Sequence, residues 1–565
     1  MNEKKLLDIW LEKSSDDPDL FAELQALKDL NDEEGIYDRF YRELEFGTGG
    51  LRGVIGAGTN RMNIYTVRQA TKGLADYVLE AGVPKRVAIG YDSRIKSRLF
   101  AENAAGVLAA NGIEAFVYRQ LMPTPALSFA VRELGCGAGI CVTASHNPSK
   151  YNGYKAYGAD GCQLTTAAAE AVLDKIKPVD PFAVPFIAFE EGLAAGSIKY
   201  IDKSVEDKFL DAVWSQRLED KRNSELRVVY TPLNGAGYAC VTKTLERTGI
   251  KELYIVEEQK DPDGAFPTCP FPNPEIREAM RLGLKLLEEK NADILIATDP
   301  DCDRCGTAVK NSKGEYVLIN GNEMGVMLLD YICRMRKQNG TMPKNPVMIK
   351  TIVSTEMAAK VAAAYGVETM DVLTGFKYIG EIIGGLEAKG EENRYIFGFE
   401  ESYGYLSGSY VRDKDAVNAS LLISDMADWY RKKGMTLADA IEALYKRYGY
   451  FVTGQDSFEF EGASGFKNMI RLMNALRENA PEAFAGKAVV GKRDYLWKNG
   501  KASYREDLPS SDVLQFTLED ETLITVRPSG TEPKLKVYYS VIRPEREDAL
   551  KVLAELRRET KSIIK

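Results

Sequence analysis

Residues 143–155 bring together a serine, a histidine and a lysine, the side chains in this chain best suited to chemistry. Segment 143–148 reads Thr-Ala-Ser-His-Asn-Pro, and His146 is the only histidine among 565 residues. A single histidine excludes zinc sites that need two imidazoles and leaves none for a serine hydrolase relay elsewhere. Because a short apolar strand precedes the segment and Asn-Pro ends it, Ser145 is predicted to lie on a tight loop at a strand end. The alternative is a turn whose polar groups only satisfy backbone atoms.

A second cluster is acidic and follows another apolar strand. Residues 294–304 read Ile-Leu-Ile-Ala-Thr-Asp-Pro-Asp-Cys-Asp-Arg, with aspartates at alternate positions, Asp299, Asp301 and Asp303. Three neighbouring carboxylates repel one another unless a cation is bound. Their oxygen atoms are the ligands that Mg²⁺ prefers, and Arg304 adds a fixed positive charge beside them. A solvated acidic turn is the alternative interpretation.

Two stretches are suited to binding phosphate. Residues 46–53, Phe-Gly-Thr-Gly-Gly-Leu-Arg-Gly, place Arg52 in a glycine-rich turn that does not fit a dinucleotide fingerprint. Residues 526–536 contain Arg, Ser, Gly and Thr in close succession, a guanidinium with two hydroxyls and a flexible backbone. Each could instead be a structural turn.

A further pair of stretches is suited to binding a polyol. Residues 374–377 read Thr-Gly-Phe-Lys, and residues 398–405 read Gly-Phe-Glu-Glu-Ser-Tyr-Gly-Tyr. Carboxylates beside serine and aromatic groups accept hydrogen bonds from sugar hydroxyls. A surface turn would have a similar composition, so this pattern alone is weak.

The elements that must position these groups repeat along the chain. Strand, helix and strand follow one another three times, near residues 86–118, 226–256 and 346–372, each helix ending at a glycine. Such units form parallel or mixed sheets between helices. The prediction is α/β: three tandem related domains with mixed sheets between helices, then a C-terminal α+β domain. The predicted domains are residues 1–204 with a helical N-terminal extension, 205–320, 321–445 and 446–565.

Composition restricts the functional classes further. The formal charge of −9 argues against nucleic-acid binding as the main function. The N-terminus lacks the apolar core of a signal peptide, and no apolar run approaches the roughly 20 residues that span a bilayer. Eight scattered cysteines indicate reduced thiols and a cytoplasmic protein. The CxxC spacing of Cys302 and Cys305 is weak support for a redox or zinc role.

Taken together, these motifs place one functional loop in each of four successive domains, and in this they resemble the α-D-phosphohexomutase superfamily, the phosphoglucomutases and phosphomannomutases. The resemblance covers nearly the whole chain, and the pairing of the serine loop with Asp-x-Asp-x-Asp-Arg is highly specific. The N-terminal extension and the segments 47–53 and 398–404 are most similar to the bacterial-type phosphoglucomutase branch. The resemblance implies four domains around a cleft, sugar phosphates as small-molecule partners, and a monomer or weak dimer.

The resemblance also implies a role for each candidate residue. Ser145 would carry the phosphoryl group, and Mg²⁺ would be held by that group with the three aspartates. The other implied catalytic residues are Arg52, His146, Lys155 and Lys377. The implied substrate-binding residues are Arg304, Glu400, Ser402, Arg527, Ser529, Gly530 and Thr531.

The implied reaction interconverts glucose 1-phosphate and glucose 6-phosphate, with glucose 1,6-bisphosphate as the activating intermediate. A phosphoserine donor needs positive charge around its phosphoryl oxygens, which a divalent ion and arginines supply. A lysine that accepts the sugar proton must be desolvated or crowded by cations. Glu401 stands where phosphomannomutases carry methionine, which favours glucose. The remaining alternatives are phosphomannomutase, phosphopentomutase or glucose-1,6-bisphosphate synthase activity, a phosphatase, and a sugar-phosphate sensor without activity.

Overall fold

The computed structural model describes residues 3–47, 49–219, 224–460, 462–498, 507–528 and 534–564, and only the backbone of residues 462–464 and 466. Helices open the chain, as predicted; there are three, they are amphipathic, and their buried apolar residues belong to the same cluster as those of the first sheet and its helices. They are α1 (Glu3–Lys13), α2 (Pro18–Asp29) and α3 (Glu33–Phe40). None of the described helices is both long enough and apolar enough to cross a membrane.

The first sheet has six strands in the order β1-β5-β4-β2-β3-β6, with β5 antiparallel to both of its neighbours. Its elements are β1 (Gly50–Val54), α4 (Ile64–Glu80), β2 (Arg86–Tyr91), α5 (Ser97–Ala110), β3 (Glu114–Val117), α6 (Thr124–Glu133), β4 (Ala138–Val142), β5 (Tyr151–Gly158), α7 (Thr166–Ile176), α8 (Phe189–Ala195), β6 (Ile198–Tyr200) and α9 (Lys203–Trp214). Because Gly50 pairs with Lys155, Arg52 and Lys155 lie on one face of this sheet.

The second sheet has five strands in the order β11-β10-β9-β7-β8. Its elements are β7 (Ser224–Thr231), α10 (Tyr238–Arg247), β8 (Ile250–Ile255), α11 (Glu257–Lys260), α12 (Arg281–Glu289), β9 (Ile294–Thr298), β10 (Cys305–Lys310) and β11 (Tyr316–Ile319). The fully buried strand β9 and its antiparallel partner β10 are joined by the acidic loop.

The third sheet has four strands in the order β13-β12-β14-β15. Its elements are α13 (Gly321–Gln338), β12 (Val347–Thr351), α14 (Met357–Ala364), β13 (Glu368–Val372), α15 (Phe376–Glu387), a 3₁₀ helix (Glu392–Arg394), β14 (Tyr395–Glu400), β15 (Gly404–Leu406), α16 (Ala416–Arg431) and α17 (Leu437–Tyr448). Helix α16 is buried almost throughout, since it packs against α10 and β7 of the second sheet as well as β15.

The repeated strand–helix–strand units are confirmed. In each unit the two strands are parallel neighbours, β2 with β3, β7 with β8, and β12 with β13. The glycine that follows each helix has a left-handed backbone: φ is 72° at Gly112, 86° at Gly249 and 70° at Gly366. Glycine adopts this conformation without steric cost, which explains why each helix ends there.

The C-terminal region is a six-stranded antiparallel sheet with helices, in agreement with the predicted α+β class. The strand order is β16-β21-β20-β19-β18-β17. Its elements are β16 (Tyr450–Glu459), α18 (Gly462–Glu478), β17 (Ala483–Phe484), β18 (Lys487–Asp494), β19 (Leu514–Leu518), β20 (Leu523–Pro528), β21 (Lys534–Arg543) and α19 (Arg546–Ile564). An apolar cluster that includes Ile352 and Leu373 with Val513 and Tyr538 joins it to the third sheet.

Candidate active site

A cavity of about 440 Å³ is lined by residues from all four sheets. Ten of the predicted site residues line it: Arg52, Ser145, His146, Lys155, Asp303, Arg304, Lys377, Glu400, Ser402 and Arg527. Asp299 and Asp301 are fully buried beside Asp303. Ser529, Gly530 and Thr531 lie outside the described residues, so the proposed phosphate loop is represented here by Arg527.

Ser145 lies in the loop between β4 and β5, where a strand end was predicted. Its φ of 53° is left-handed, a conformation that costs a non-glycine residue about 1–3 kcal/mol. Its amide donates to Oγ1 of Thr143 at 2.8 Å. Its hydroxyl donates to Oδ2 of Asp299 at 2.9 Å and lies 3.1 Å from Nδ1 of His146. The hydrogen bond to Asp299 therefore connects the serine hydroxyl directly to the acidic loop of the second sheet.

The three aspartates form a buried group that fits a metal ion. One oxygen atom from each lies within 4.8 Å of the others. Oδ1 of Asp299 accepts the backbone amides of Asp303 and Arg304, which holds the loop closed. No described residue donates a hydrogen bond to Oδ1 of Asp301 or to Oδ1 of Asp303. Buried carboxylate oxygens without donors are the hard ligands that a divalent cation requires.

The charge of the acidic loop is partly balanced by Lys155. Nζ of Lys155 lies 2.9 Å from Oδ2 of Asp301 and 3.4 Å from Oδ2 of Asp303. Although burial disfavours the charged amine, these carboxylates hold the pKa of Lys155 well above its usual value. A lysine that accepts the sugar proton was expected to be desolvated or crowded by cations. Lys155 is desolvated, but its charged neighbours are anions, so it carries a proton here and is suited first to donating it.

A second lysine, Lys414, was not singled out from the sequence. Its Nζ lies 2.9 Å from Oδ2 of Asp303, 3.4 Å from Oδ1 of Asp413 and 3.9 Å from Oε1 of Glu400. It thus connects the acidic loop with the predicted sugar loop. The available signal was the alternating charge of residues 412–415, Arg-Asp-Lys-Asp, directly before the apolar helix α16.

Arg304 and His146 lie together on one side of the cavity, but only Arg304 is charged. Nη1 of Arg304 donates to Oε1 of Glu275 at 2.7 Å, a contact that the sequence did not indicate. Burial lowers the pKa of His146 well below its usual value, and the charges of Arg304 and Arg52 add to this effect. His146 is therefore neutral and can exchange a hydrogen bond with Ser145, but it cannot act as a cation.

The residues predicted to bind a sugar line the cavity from the end of β14 and the first turn of α15. Burial raises the pKa of Glu400 to about 7, with Lys414 opposing the shift. Oε2 of Glu401 accepts a hydrogen bond from Oγ1 of Thr351 at 3.1 Å. Burial lowers the pKa of Lys377, whereas Cys162 and Glu381 oppose that change. These groups offer acceptors and a donor for hydroxyl groups.

The C-terminal sheet contributes two cations, Arg527 from β20 and Lys536 from β21. They are register partners on adjacent strands and both line the cavity. Burial lowers the pKa of Lys536, and repulsion from Arg527 and Arg304 lowers it further. Cations held together against their mutual repulsion favour an anionic ligand.

Three family models match this chain in sequence order. They are the α/β/α domains I, II and III of phosphoglucomutase/phosphomannomutase, matched by residues 43–181, 207–314 and 320–448. A phosphoglucomutase of Staphylococcus aureus is 36% identical over 548 residues, which cover 96% of each chain.

Solved structures share the fold. The putative phosphomannomutase of Thermus thermophilus superposes with a TM-score of 0.69 at 22% identity, covering 92% of this chain and 99% of its own. Parafusin, a phosphoglucomutase of Paramecium, superposes in its open form with a TM-score of 0.66 at 18% identity, covering 93% and 95% of the two chains.

Proposed function

Because the chain belongs to the phosphoglucomutase/phosphomannomutase family, we propose that it interconverts glucose 1-phosphate and glucose 6-phosphate. It is an intramolecular phosphotransferase of the isomerase class, working through a phosphoserine and glucose 1,6-bisphosphate. The observation that supports this most directly is the 2.9 Å contact between Oγ of Ser145 and Asp299 in the buried aspartate group. A phosphoryl group on that oxygen would lie against the proposed metal ligands.

The transfer itself breaks the bond between phosphorus and the serine oxygen and forms one to the sugar oxygen. The serine oxygen takes up the proton that Lys155 carries, and the amine freed in this way accepts the proton of the sugar hydroxyl, so no net proton is gained or lost. Lys155 is the proposed proton carrier, Arg52 and Arg304 balance charge on the phosphoryl oxygens, and His146 supports the loop.

Other residues are proposed to recognise the sugar and its second phosphate. Glu400 and Ser402 accept and donate hydrogen bonds to sugar hydroxyls, and Lys377 lies beside them. Arg527 with Ser529, Gly530 and Thr531 anchors the phosphate that is not being transferred. Since the bisphosphate must present either end to Ser145, this anchor accepts both.

The proposed metal ion is Mg²⁺, which would be held by Asp299, Asp301, Asp303 and the phosphorylated Ser145. When bound, it supplies positive charge to the phosphoryl group.

The four domains are proposed as residues 1–204, 205–320, 321–445 and 446–565. We place the enzyme in the cytoplasm as a monomer or weak dimer, with reduced thiols, since each of its cysteines is free and buried.

The experiment combines turnover with the mass of the protein. Glucose 1-phosphate, mannose 1-phosphate and ribose 1-phosphate are compared as substrates, and the intact mass is measured after incubation with glucose 1,6-bisphosphate. We expect the highest kcat/KM for glucose 1-phosphate and one added phosphate on Ser145. Ser145→Ala should lose both turnover and the added mass, whereas Ser215→Ala, at an exposed helix end, should keep both.

A preference for mannose or ribose phosphate would assign the chain to the corresponding mutase. Free phosphate released without a second sugar would indicate a phosphatase, and net formation of bisphosphate from another donor would indicate a synthase. Turnover that persists in Ser145→Ala would contradict the covalent mechanism itself.

A further inference from the structure

Arg94, which lies between β2 and α5, is a buried arginine that faces the inner side of the serine loop. Its side chain is fully shielded from solvent. Nη1 donates to the carbonyl oxygens of Pro148 at 2.9 Å and Tyr151 at 3.0 Å. Nη2 donates to the carbonyl oxygens of Ser145 at 2.5 Å and Asn147. One guanidinium thus binds four carbonyl groups of the loop that carries the reactive hydroxyl.

Arginine is the side chain that meets this geometry. Its planar fork holds both terminal nitrogens in one orientation, and each of them carries two hydrogens, which matches four converging carbonyl groups. The third nitrogen, Nε, lies 3.3 Å from Oδ2 of Asp92, whose carboxylate balances the buried charge. Oδ1 of Asp92 accepts the amide of Arg94 and the hydroxyl of Ser97, so this partner is itself fixed. A lysine at this position would keep the positive charge but could not donate to four carbonyl groups from two nitrogens in one plane.

The conformation of Ser145 requires such support. A non-glycine residue with a φ of 53° persists only where its surroundings impose it. Thr143 holds the amide of Ser145 on one side, and Arg94 holds its carbonyl group on the other. Without the second contact, the hydroxyl can rotate away from Asp299.

Arg94 also touches the second sheet's domain. Its guanidinium carbon lies 5.1 Å from the centre of the Phe266 ring. Close by, the backbone approaches so tightly that a Cβ on Gly264 would lie 2.4 Å from the amide nitrogen of Ile95. The arginine therefore lies where the serine loop and the domain of the acidic loop meet.

We propose that Arg94 is a positioning residue, which holds the Ser145 loop in its reactive conformation and in register with the aspartate group of the second domain. Its kinetic consequence rests on the mutase activity proposed above. Its structural consequence does not, because it concerns the loop alone.

The unique histidine provides a direct measure of the loop. In protein labelled with ¹³C-histidine, His146 contributes a single set of imidazole signals. We expect Arg94→Lys and Arg94→Gln to shift or broaden these signals. The matched control is Arg68→Lys, at a buried arginine of helix α4 in the same domain. Arg68 pairs with Asp16 at 2.6 Å and lies 3.6 Å from the ring centre of Phe186. This control should leave the imidazole signals unchanged.

The kinetic measurement compares the same variants at a temperature where circular dichroism shows them folded. A displacement of the reacting group by about 1 Å can cost about 100-fold in rate, so kcat of Arg94→Lys should fall by about that factor with little change in KM. Arg68→Lys should retain the wild-type kcat. Unmoved imidazole signals in the Arg94 variants, or a kcat that falls only in proportion to the unfolded fraction, would overturn the proposal. If the wild type has no mutase turnover, the proposed function fails while the imidazole comparison still decides the role of Arg94.

Discussion

At the scale of single residues, the negative charge of buried carboxylates in the site is partly neutralised by buried lysines and arginines. Lys155 and Lys414 both lie within 3.4 Å of the same oxygen of Asp303, and Asp299 accepts from the serine hydroxyl. Burial raises the pKa of Asp299 well above its usual value, and the two neighbouring aspartates raise it further. A divalent cation bound to these buried carboxylates would stabilise their charged form.

Removing one of these carboxylates should therefore remove the stabilisation that Mg²⁺ provides. A ligand present at 100 times its Kd stabilises a protein by about 2.7 kcal/mol. We expect Mg²⁺ to raise the melting temperature of the wild type and to have little effect on Asp303→Asn. The matched control is Asp413→Asn, because Asp413, like Asp303, pairs with Lys414, at 3.4 Å against 2.9 Å, but is not one of the three proposed ligands. An equal Mg²⁺ effect in Asp303→Asn would disprove the assigned ligand set.

Glu400 predicts a pH dependence. Burial raises its pKa to about 7, so the group is largely protonated below that pH and ionised above it. The carboxylate accepts hydroxyl hydrogen bonds at both oxygens, whereas protonation turns one oxygen into a donor, so kcat/KM should decrease as the pH falls through about 7. Glu400→Gln should have a lower kcat/KM and lack this decrease. Because ionisation of the substrate phosphate affects both enzymes equally, the ratio of their pH profiles is the measurement, and a constant ratio would contradict the assignment.

At the scale of the elements, strand β5 positions three parts of the site at once. It carries Lys155, it pairs with β1 beside Arg52, and the carbonyl oxygen of its Gly153 accepts a hydrogen bond from the amide of Thr143 at 3.1 Å. A Cβ on Gly153 would lie 2.4 Å from the carbonyl oxygen of Thr143 and 2.9 Å from that of Leu51. The absence of a side chain at this position lets the serine loop and β1 approach each other.

Gly153→Ala should therefore move both neighbours of β5. Overpacking of this kind costs about 1–3 kcal/mol, and we expect kcat to fall about 100-fold because Arg52 and Ser145 separate. Gly158→Ala is the control in the same strand, since its Cβ would meet first the flexible carboxylate of Asp160, at 3.1 Å. Melting curves and kcat are measured for both variants. If the two alanines have the same effect on kcat, the close approach is not what positions the site.

At the scale of the whole molecule, the cavity exists only because four sheets meet. The C-terminal sheet contacts the third through Gln515, whose amide donates to the carbonyl oxygen of Ile352, and through the apolar cluster around Tyr538. This arrangement brings Lys536 and Arg527 to the same cavity as Ser145. A ligand with two phosphates can then contact both ends of the cavity.

Lys536→Met should weaken sugar-phosphate binding. A hydrogen bond to a charged group contributes about 1.5–3 kcal/mol, so we expect KM to rise roughly 10- to 100-fold and its dependence on salt to decrease. Lys534→Met is the control two positions earlier on β21, where the lysine pairs with Glu459 at 3.2 Å. An unchanged KM in Lys536→Met would show that the C-terminal sheet binds the phosphate by other groups.

The sequence by itself determined the classes of element and of chemistry. Three α/β units and a C-terminal α+β domain were predicted from apolar strand-like segments, from glycines that end helices, and from the repeated order of these elements. This was possible because periodicity and turn residues depend on only a few neighbouring positions. The sequence also placed Ser145 and the three aspartates at strand ends, because the Asn-Pro and Asp-Pro pairs restrict the backbone locally and end the preceding strands. The family resemblance assigned these residues their roles.

Only the tertiary structure decided which distant groups face one another. Lys414, Glu275 and Arg94 act through contacts with residues elsewhere in the chain. Only Lys414 had a local signal, the alternating charges of residues 412–415, and no local pattern distinguished Glu275 or Arg94 from ordinary surface charges. The state of Lys155 was decided in the same way, because its pKa depends on carboxylates that follow it by more than 100 positions. Coulombic interactions depend on distance in space, and the meeting of the four sheets sets that distance.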